Sequence, residues 1–270
     1  MKRTGVILAL FLVVVCPTGV NQSQATTIDL SVSPYSGTIN DAVFSAFDAS
    51  KAGRGVFPAF LATQDQKSLG GTINLGYNSD YRGPGSNKVQ FDETTSAEHN
   101  YSLLLSQLGV YEDPITHITY YSFTLDADQA PGLGPLISLD RLQIYQTNNP
   151  SITGYDIASY SFPTSGDNTA RLAYDLDGPG EANNNVLINY SQSSGGSGWA
   201  DMIVDIPTSK FIGGYSNVVL FGQFSLDNDG PQEWAYLAGT TSVPEPSTML
   251  LLGSGLLGLI GYGRKKFFKK

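Results

Sequence analysis

Residues 115–125 (ITHITYYSFTL) are the stretch of the chain that most clearly indicates its fold. Apolar and hydroxyl side chains alternate along it, with Ile115, Tyr121, Phe123 and Leu125 on one face and Thr116, Ser122 and Thr124 on the other. A period of two residues is typical of a β-strand that buries one face. We therefore predict a strand over residues 115–125.

Similar short runs, rich in β-branched and aromatic residues, recur along the chain between Gly, Pro, Asn, Asp and Ser clusters. They predict strands at residues 28–33, 72–77, 137–146, 170–176, 186–190, 202–206, 218–224 and 234–237. Many short strands separated by turn signals are typical of a sandwich or barrel. The predicted fold is all-β, a single antiparallel β-sandwich or jelly-roll-like domain.

Residues 97–107 fit two secondary structures. Tyr101, Leu103 and Leu105 alternate as in a strand, whereas Tyr101, Leu104, Leu105 and Leu108 have roughly helical spacing. Because a short apolar run does not distinguish the two by period alone, both alternatives stay open, with the strand favoured.

The N-terminal residues 1–25 have the layout of a secretory signal peptide. Lys2 and Arg3 precede an apolar run over residues 6–15, and Ser23 and Ala25 supply the small residues that signal peptidase reads. We predict cleavage by signal peptidase before Thr26. Cys16 then lies in the removed segment, so the mature chain contains no cysteine and has no thiol chemistry or cysteine-based metal site.

Charge is unevenly distributed between the body, residues 26–242, and the two ends of the chain. The body holds eight of the 15 Lys and Arg residues and 23 of the 24 acidic residues, which gives a net charge near −15. Such a surface repels nucleic acid and anionic lipid, so neither is expected as a partner. The charge instead suits cations, and calcium is the candidate cofactor.

The C-terminal tail, residues 243–270, combines three features in a fixed order. Pro244, Glu245 and Pro246 come first, an apolar run over residues 249–262 follows, and a basic segment from Arg264 to Lys270 closes the sequence. Prolines hold a segment extended, as a peptidase substrate must be. The apolar run predicts a short membrane helix, whose basic end stays on the cytoplasmic side.

This tail resembles the sorting signal of the PEP-CTERM family, exported proteins of Gram-negative bacteria that build exopolysaccharide or biofilm matrix. The resemblance implies that an exosortase, a membrane-embedded transpeptidase, recognises the chain near Pro244-Glu245-Pro246. It also implies a transient inner-membrane anchor followed by a place at the cell surface or in the extracellular matrix. An ordinary membrane anchor that is never cut is the alternative, although 14 apolar residues are short for a permanent span.

Two Asp-rich turns are candidate calcium sites. Asp175 and Asp177 precede Gly178, and Asp227 and Asp229 precede Gly230, with Glu233 as a further candidate ligand for the second turn. Carboxylates at alternate positions before a glycine can converge on a hard cation, as in calcium-binding loops. Ordinary Asp-Gly hairpin turns are the alternative.

Trp199 and Trp234 lie near Gly/Ser-rich and Asp-rich turns and are candidate glycan-binding residues. An exposed aromatic ring can stack on a sugar, while nearby Asp and Asn bind its hydroxyl groups. The alternative is that both tryptophans belong to the core, where aromatic side chains are common.

The sequence lacks three common catalytic motifs: it has no Gly-x-Ser-x-Gly elbow, no His-Glu-x-x-His pair and no P-loop. His99 and His117 are its two histidines, and neither belongs to a recognisable triad. The sequence therefore favours a non-enzymatic structural or glycan-binding protein. The alternative is a hydrolase or lyase acting on exopolysaccharide, since paired carboxylates can cleave glycosidic bonds. A deep cleft with two facing carboxylates would favour the enzyme, and a flat sheet face with exposed Trp or Tyr would favour the binding protein.

Overall fold

The computed structural model describes residues 24–47, 59–64, 73–84, 89–129, 134–178, 183–192, 200–228 and 230–238. These residues form fourteen strands: β1 (Thr27–Asp29), β2 (Ser36–Ile39), β3 (Ala42–Ala46), β4 (Leu61–Thr63), β5 (Asn74–Tyr77), β6 (Leu103–Leu104), β7 (Val110–Glu112), β8 (Thr119–Ala127), β9 (Leu136–Thr147), β10 (Arg171–Asp175), β11 (Asn185–Asn189), β12 (Met202–Pro207), β13 (Asn217–Ser225) and β14 (Gln232–Tyr236). Three short 3₁₀ turns, at Leu105–Gln107, Tyr190–Gln192 and Thr208–Lys210, are the helical elements of the described residues. The all-β prediction is confirmed.

The strands form two seven-stranded sheets. Sheet 1 has the order β1-β11-β9-β13-β5, with β10 also pairing with β9 and β6 with β13. Sheet 2 has the order β2-β3-β12-β8-β14-β4, with β7 also pairing with β8. The pairs are antiparallel except for β1 and β11, which are parallel, so the prediction of a purely antiparallel fold is wrong at that edge. Fourteen strands also exceed the eight of a jelly roll, and that finer prediction is not confirmed.

The main core lies between the two sheets. Sheet 1 contributes the long strands β9 and β13, and sheet 2 contributes β8 and β12; buried examples are Ile137, Leu139, Leu142, Ile144, Phe224, Phe123, Leu125 and Val204. Along β9, the residues that face the main core are odd-numbered up to Leu139 and even-numbered from Leu142 onwards. A register shift between β9 and β13 at this point supplies the extra residue, as a β-bulge does.

A second apolar cluster covers the outer face of sheet 1. Tyr77, Tyr145 and Phe221 rise from β5, β9 and β13 and pack against Tyr155 and Phe162 of the connection between β9 and β10. The rings of Tyr155 and Phe221 stack with centroids 4.2 Å apart. This outer face is therefore buried by the chain's own loops, and burial strongly raises the pKa of Tyr77, Tyr145 and Tyr155.

Strand β8 differs from its prediction at its start. The strand begins at Thr119 rather than Ile115, because Asp113 and Pro114 open a hairpin turn that returns from β7. The Asp113 carboxylate accepts hydrogen bonds from the backbone N–H groups of Ile115 and Thr116, at 2.7 and 2.8 Å. Ile115 is consequently 88% exposed, although Phe123 and Leu125 are buried as predicted.

The other predicted strands lie close to observed ones, whereas residues 97–107 satisfy neither alternative in full. The strand there is limited to Leu103–Leu104, and the 3₁₀ turn Leu105–Gln107 follows.

No helix in the described ranges has both the length and the apolar character needed to cross a membrane. The predicted membrane helix at residues 249–262 lies outside the described residues, as does nearly all of the predicted signal peptide.

Candidate functional site

A polar cleft of about 550 Å³ opens where the edges of the two sheets meet. Its walls come from β4 and the residue after it, from the loop between β5 and β6, and from the start of β14. The lining residues are Ala62, Thr63, Gln64, Asp92, Thr94, Thr95, His99, Pro231 and Glu233. Three separate stretches of chain therefore build one site.

Backbone hydrogen bonds fix the loop wall of the cleft to both sheets. Gln64 N donates to Asp92 O at 3.0 Å and Thr94 N donates to Ala62 O at 2.9 Å, which joins the loop to the edge of sheet 2. Asp92 N donates to Leu75 O at 3.1 Å, which joins it to the edge strand of sheet 1. The segment around Asp92 thus bridges the two sheets, and the cleft has a fixed wall.

Two carboxylic acids line the cleft in different environments. Asp92 is 3% exposed, and its carboxylate accepts a hydrogen bond from Leu75 N at 3.2 Å. Glu233 is half-buried, and this burial raises the pKa of its carboxyl above the ordinary range, while nearby His99 opposes the rise. The cleft therefore holds one carboxylate with a backbone donor and one acid that keeps its proton to higher pH.

A third acid, Glu93, lies behind the cleft wall. Its side chain is 1% exposed, and its two oxygens accept hydrogen bonds from the backbone N–H groups of Tyr77 and Phe91 at 3.0 and 2.7 Å. Burial nevertheless dominates and raises the pKa of Glu93 to about 7. Glu93 is not among the lining residues; it supports the wall from the protein side.

The lining is suited to a small polar ligand. Thr94 and Thr95 provide hydroxyl groups, Gln64 an amide, and Asp92 and Glu233 carboxyl groups, all of which hydrogen-bond to hydroxyl-rich molecules. No Phe, Tyr or Trp is among the described lining residues, and the aromatic ring that the described wall offers is the imidazole of His99. No group of three or more His, Cys, Asp or Glu side chains that could hold a metal ion occurs within the described part of the chain.

The first predicted calcium turn has other partners for its carboxylates. Asp177 pairs with Arg141 at 2.8 Å and accepts a hydrogen bond from Asn184 N at 2.8 Å. Asp175 accepts from Gln143 Nε2 at 2.7 Å and from Asp177 N at 3.0 Å. The two side chains stabilise the local fold through these contacts, and calcium at this turn stays a prediction.

The second predicted calcium turn is not assembled as expected. Asp227 accepts a hydrogen bond from Asn74 Nδ2 at 2.8 Å and lies 3.4 Å from Gln232 Nε2. Because neighbouring residues of a strand face opposite sides, Glu233 projects away from Asp227 and lines the cleft instead. Asp229 lies outside the described residues, and calcium at this turn stays a prediction.

Of the two candidate glycan-binding tryptophans, the structure describes Trp234. Trp234 is fully buried in the main core, and its ring packs near Phe224 at a centroid distance of 6.3 Å. The glycan-binding prediction is therefore wrong for Trp234, and the core alternative holds. Trp199 lies outside the described residues.

Sequence reasoning did not single out Asp92, Gln64 or the two threonines as site residues, and it noted His99 without placing it. Adjacent Asp92 and Glu93 before Thr94-Thr95 were a local signal of a polar site. Their partners lie about 30 residues earlier and 140 residues later in the chain, and only strand pairing brings the three stretches together.

The sorting residues Pro244, Glu245 and Pro246 lie outside the described residues, but the sequence comparison covers them. Residues 242–266 match the PEP-CTERM protein-sorting motif. The chain carries a PEP-CTERM sorting signal. The motif indicates an exported protein that is handled at the membrane and recognised by an exosortase. No curated protein and no solved structure matches the chain.

Proposed function

We propose that this PEP-CTERM protein is a non-enzymatic glycan-binding protein of the cell surface or extracellular matrix, associated with exopolysaccharide or biofilm. The observation that carries the proposal is the polar cleft beside β4, with its hydroxyl, amide and carboxyl groups. Sugar hydroxyl groups both donate and accept hydrogen bonds, and this lining offers both kinds of partner. The sorting signal supports a location where such glycans occur.

The charge of the cleft favours one class of glycan. Asp92 and Glu233 place two acids in the lining, and the body as a whole has a large negative charge. Like charges in a confined site repel, so a polysaccharide rich in uronic acids is disfavoured. A neutral or amine-bearing glycan is the expected ligand.

The two histidines of the chain provide a matched test. His99 lines the cleft, whereas His117 lies in the distant hairpin between β7 and β8. We expect His99→Asn and Gln64→Ala to weaken binding of neutral exopolysaccharide oligosaccharides, measured by calorimetry, and His117→Asn to leave it unchanged. Equal affinity in all variants, or no binding by the parent protein, would refute the cleft as a glycan site.

A glycoside hydrolase is the second candidate, because two acids share the cleft, as an enzyme would require, and the pKa of Glu233 is raised. Asp92, however, is 3% exposed and accepts a hydrogen bond from Leu75 N, which favours the binding protein. A hydrolase needs one protonated and one ionised carboxyl group on either side of the scissile bond. Release of reducing ends from the same oligosaccharides, abolished by Glu233→Gln, would favour the enzyme. Binding without release, retained by Glu233→Gln, would favour the binding protein.

A further inference from the structure

One end of the sandwich, which we call the tail-exit end, gathers exposed apolar side chains. The hairpin between β7 and β8 presents four of them and adjoining segments add two more: Val110, Tyr111, Ile115, Ile118, Ile212 and Leu237. The segment with Ile212 is held beside the hairpin, because Phe211 packs on Tyr121 with ring centroids 4.9 Å apart. Scattered surface apolar residues are normal, but a group at one end of a domain indicates a contact surface.

The same end is where the described chain leads into the sorting tail. Strand β14 runs towards the hairpin, and Leu237 N donates to Ser122 O at 2.9 Å, three residues from the start of β8. Leu237 O accepts a hydrogen bond from Gly109 N at 2.7 Å, directly before β7. Ala238, the last described residue, therefore lies beside the strand that carries Val110 and Tyr111.

The hairpin presents its apolar tip in a defined turn. Asp113 N donates to Ile118 O at 3.0 Å, and His117 N donates to Asp113 O at 2.9 Å. The Asp113 carboxylate is turned back onto Ile115 N and Thr116 N, and these two hydrogen bonds lower the pKa of Asp113. Ile115 is 88% exposed in this turn, and the Asp113 carboxylate is engaged by the backbone of the turn.

We propose that the tail-exit end rests on the outer surface of the lipid bilayer while the sorting tail anchors the protein. The inference depends on membrane insertion of residues 249–262, which the apolar run of the tail predicts. Ten residues, 239–248, separate Ala238 from this run and span at most about 35 Å when extended. A short tether gives a high effective concentration at the surface, so a small apolar contact is sufficient to orient the body.

The contact is apolar rather than electrostatic. Glu112 and Asp113 flank the tip, and the body is strongly acidic, so attraction to anionic lipid is not the driving force. Isoleucine, valine and tyrosine side chains instead favour the region between headgroups and acyl chains. Zwitterionic lipid alone is therefore expected to support the contact.

The test places one fluorophore at either end of the body. Leu226 is a matched control, since it is exposed, apolar and located at the turn before β14, at the opposite end of β8 from the hairpin. Ile115→Cys and Leu226→Cys are each made in the full chain with Cys16→Ser. Each protein is isolated from the membranes of an exosortase-free host, labelled with an environment-sensitive dye and reconstituted into zwitterionic vesicles that contain a lipid-attached quencher.

We expect most of the fluorescence at position 115 to be quenched, with a blue shift, and little change at position 226. Adding Ile118→Ser and Val110→Ser to Ile115→Cys should reduce the quenching, because these exposed residues supply the apolar contact.

Two results would overturn the proposed contact but not the membrane role of the tail. One is equal quenching at both positions, and the other is no quenching at position 115 in a protein that floats with the vesicles. Failure to float would overturn the membrane role of the tail as well. A blue shift at position 115 that depends on protein concentration without lipid would show a second copy of the chain as the partner and would also overturn the proposal.

Discussion

Glu93 lies so close to Gly76 that a Cβ atom built at position 76 would be 2.7 Å from Glu93 Cγ. Thr63 Cγ2 would be at 2.8 Å from the same Cβ. The missing side chain of Gly76 thus lets a buried acid cross the edge strand of sheet 1 and reach the edge of sheet 2. This close approach builds the wall behind the polar cleft.

Gly76→Ala is expected to destabilise the fold by about 1–3 kcal/mol, because both contacts are shorter than packed atoms tolerate and neither neighbour is free to move. Urea unfolding measures the loss. Gly213→Ala is the matched control, since no atom of the described residues lies within 4 Å of a Cβ there, and it should change stability little. Equal effects of the two substitutions would contradict the close packing at Gly76.

Stability should fall as the pH rises from about 5 to 8, because Glu93 is buried. Burial raises its pKa from the ordinary 4.5 to about 7, so the folded state binds the proton more tightly than the unfolded chain. The stabilisation by this proton is complete below pH 4.5 and is lost as the pH passes 7. The loss amounts to about 3–4 kcal/mol at most, since each pKa unit corresponds to about 1.4 kcal/mol.

Denaturant unfolding at a series of pH values tests this dependence on Glu93. Glu93→Gln should flatten the plot of unfolding free energy against pH between pH 5 and 8. A difference from the parent protein that is the same at every pH would report the hydrogen bond that the amide nitrogen no longer accepts. Glu98→Gln, a change at an exposed neighbour, should leave the slope unchanged. A slope that persists in Glu93→Gln would assign the titration to another group.

Asp177→Asn should destabilise the protein by about 3 kcal/mol, because it leaves the partly buried Arg141 without its charged partner. The loss should be the same in calcium and in chelator, since Arg141 and Asn184 already occupy the carboxylate. Asp167→Asn, an exposed change in the loop before β10, serves as the control. A loss seen only in the presence of calcium would support the metal hypothesis for this turn.

Trp234→Ala should lower the free energy of unfolding by about 3–5 kcal/mol, as expected for a large aromatic side chain removed from a core. Trp234→Phe should cost less, because the buried indole Nε1 has no hydrogen-bond partner among the residues that the structure describes. This variant should also bind glycan as the parent protein does. Loss of glycan affinity in a folded Trp234→Phe protein would contradict a purely structural role.

The sequence predicted the long strands well because their side chains alternate and because each is flanked by turn residues. Strands β2, β3, β4 and β7 were missed, and they have three to five residues each. Strands β1 and β5 are equally short, but they were predicted because they overlap the longer runs at residues 28–33 and 72–77. The start of β8 was misplaced for a related reason: Ile115 and Ile118 look like strand residues, and only the capping of Asp113 reveals a turn.

The candidate site was harder to predict than the fold. Aspartates before a glycine are common in turns, and at Asp175 and Asp177 the structure gives them hydrogen-bond and ion-pair partners that no local pattern reveals. Glu233 was singled out as a metal ligand, whereas strand alternation places it in the cleft. Side-chain type is visible in a sequence, but convergence on a common point depends on tertiary pairing.

The sorting signal yields the last prediction, which concerns Glu245. If an exosortase reads Pro244-Glu245-Pro246, Glu245→Ala should make the full-length precursor accumulate in the membrane, because the apolar run and basic end remain intact. Thr248→Ala, outside the triplet, is the matched control and should be processed normally. Immunoblots of membrane, periplasmic and culture fractions, from hosts with and without an exosortase, measure the distribution, and an intact mass locates the cut.

Two properties of the released form distinguish processing at the triplet from a general membrane anchor. Cleavage there removes the apolar run together with the five basic residues after it, so the product should be smaller, more acidic and free of the membrane. A general anchor depends on hydrophobicity and flanking charge alone, neither of which Glu245→Ala reduces. Unchanged release in that variant, or a released form that still contains Lys270, would therefore show that the triplet is not the signal that is read.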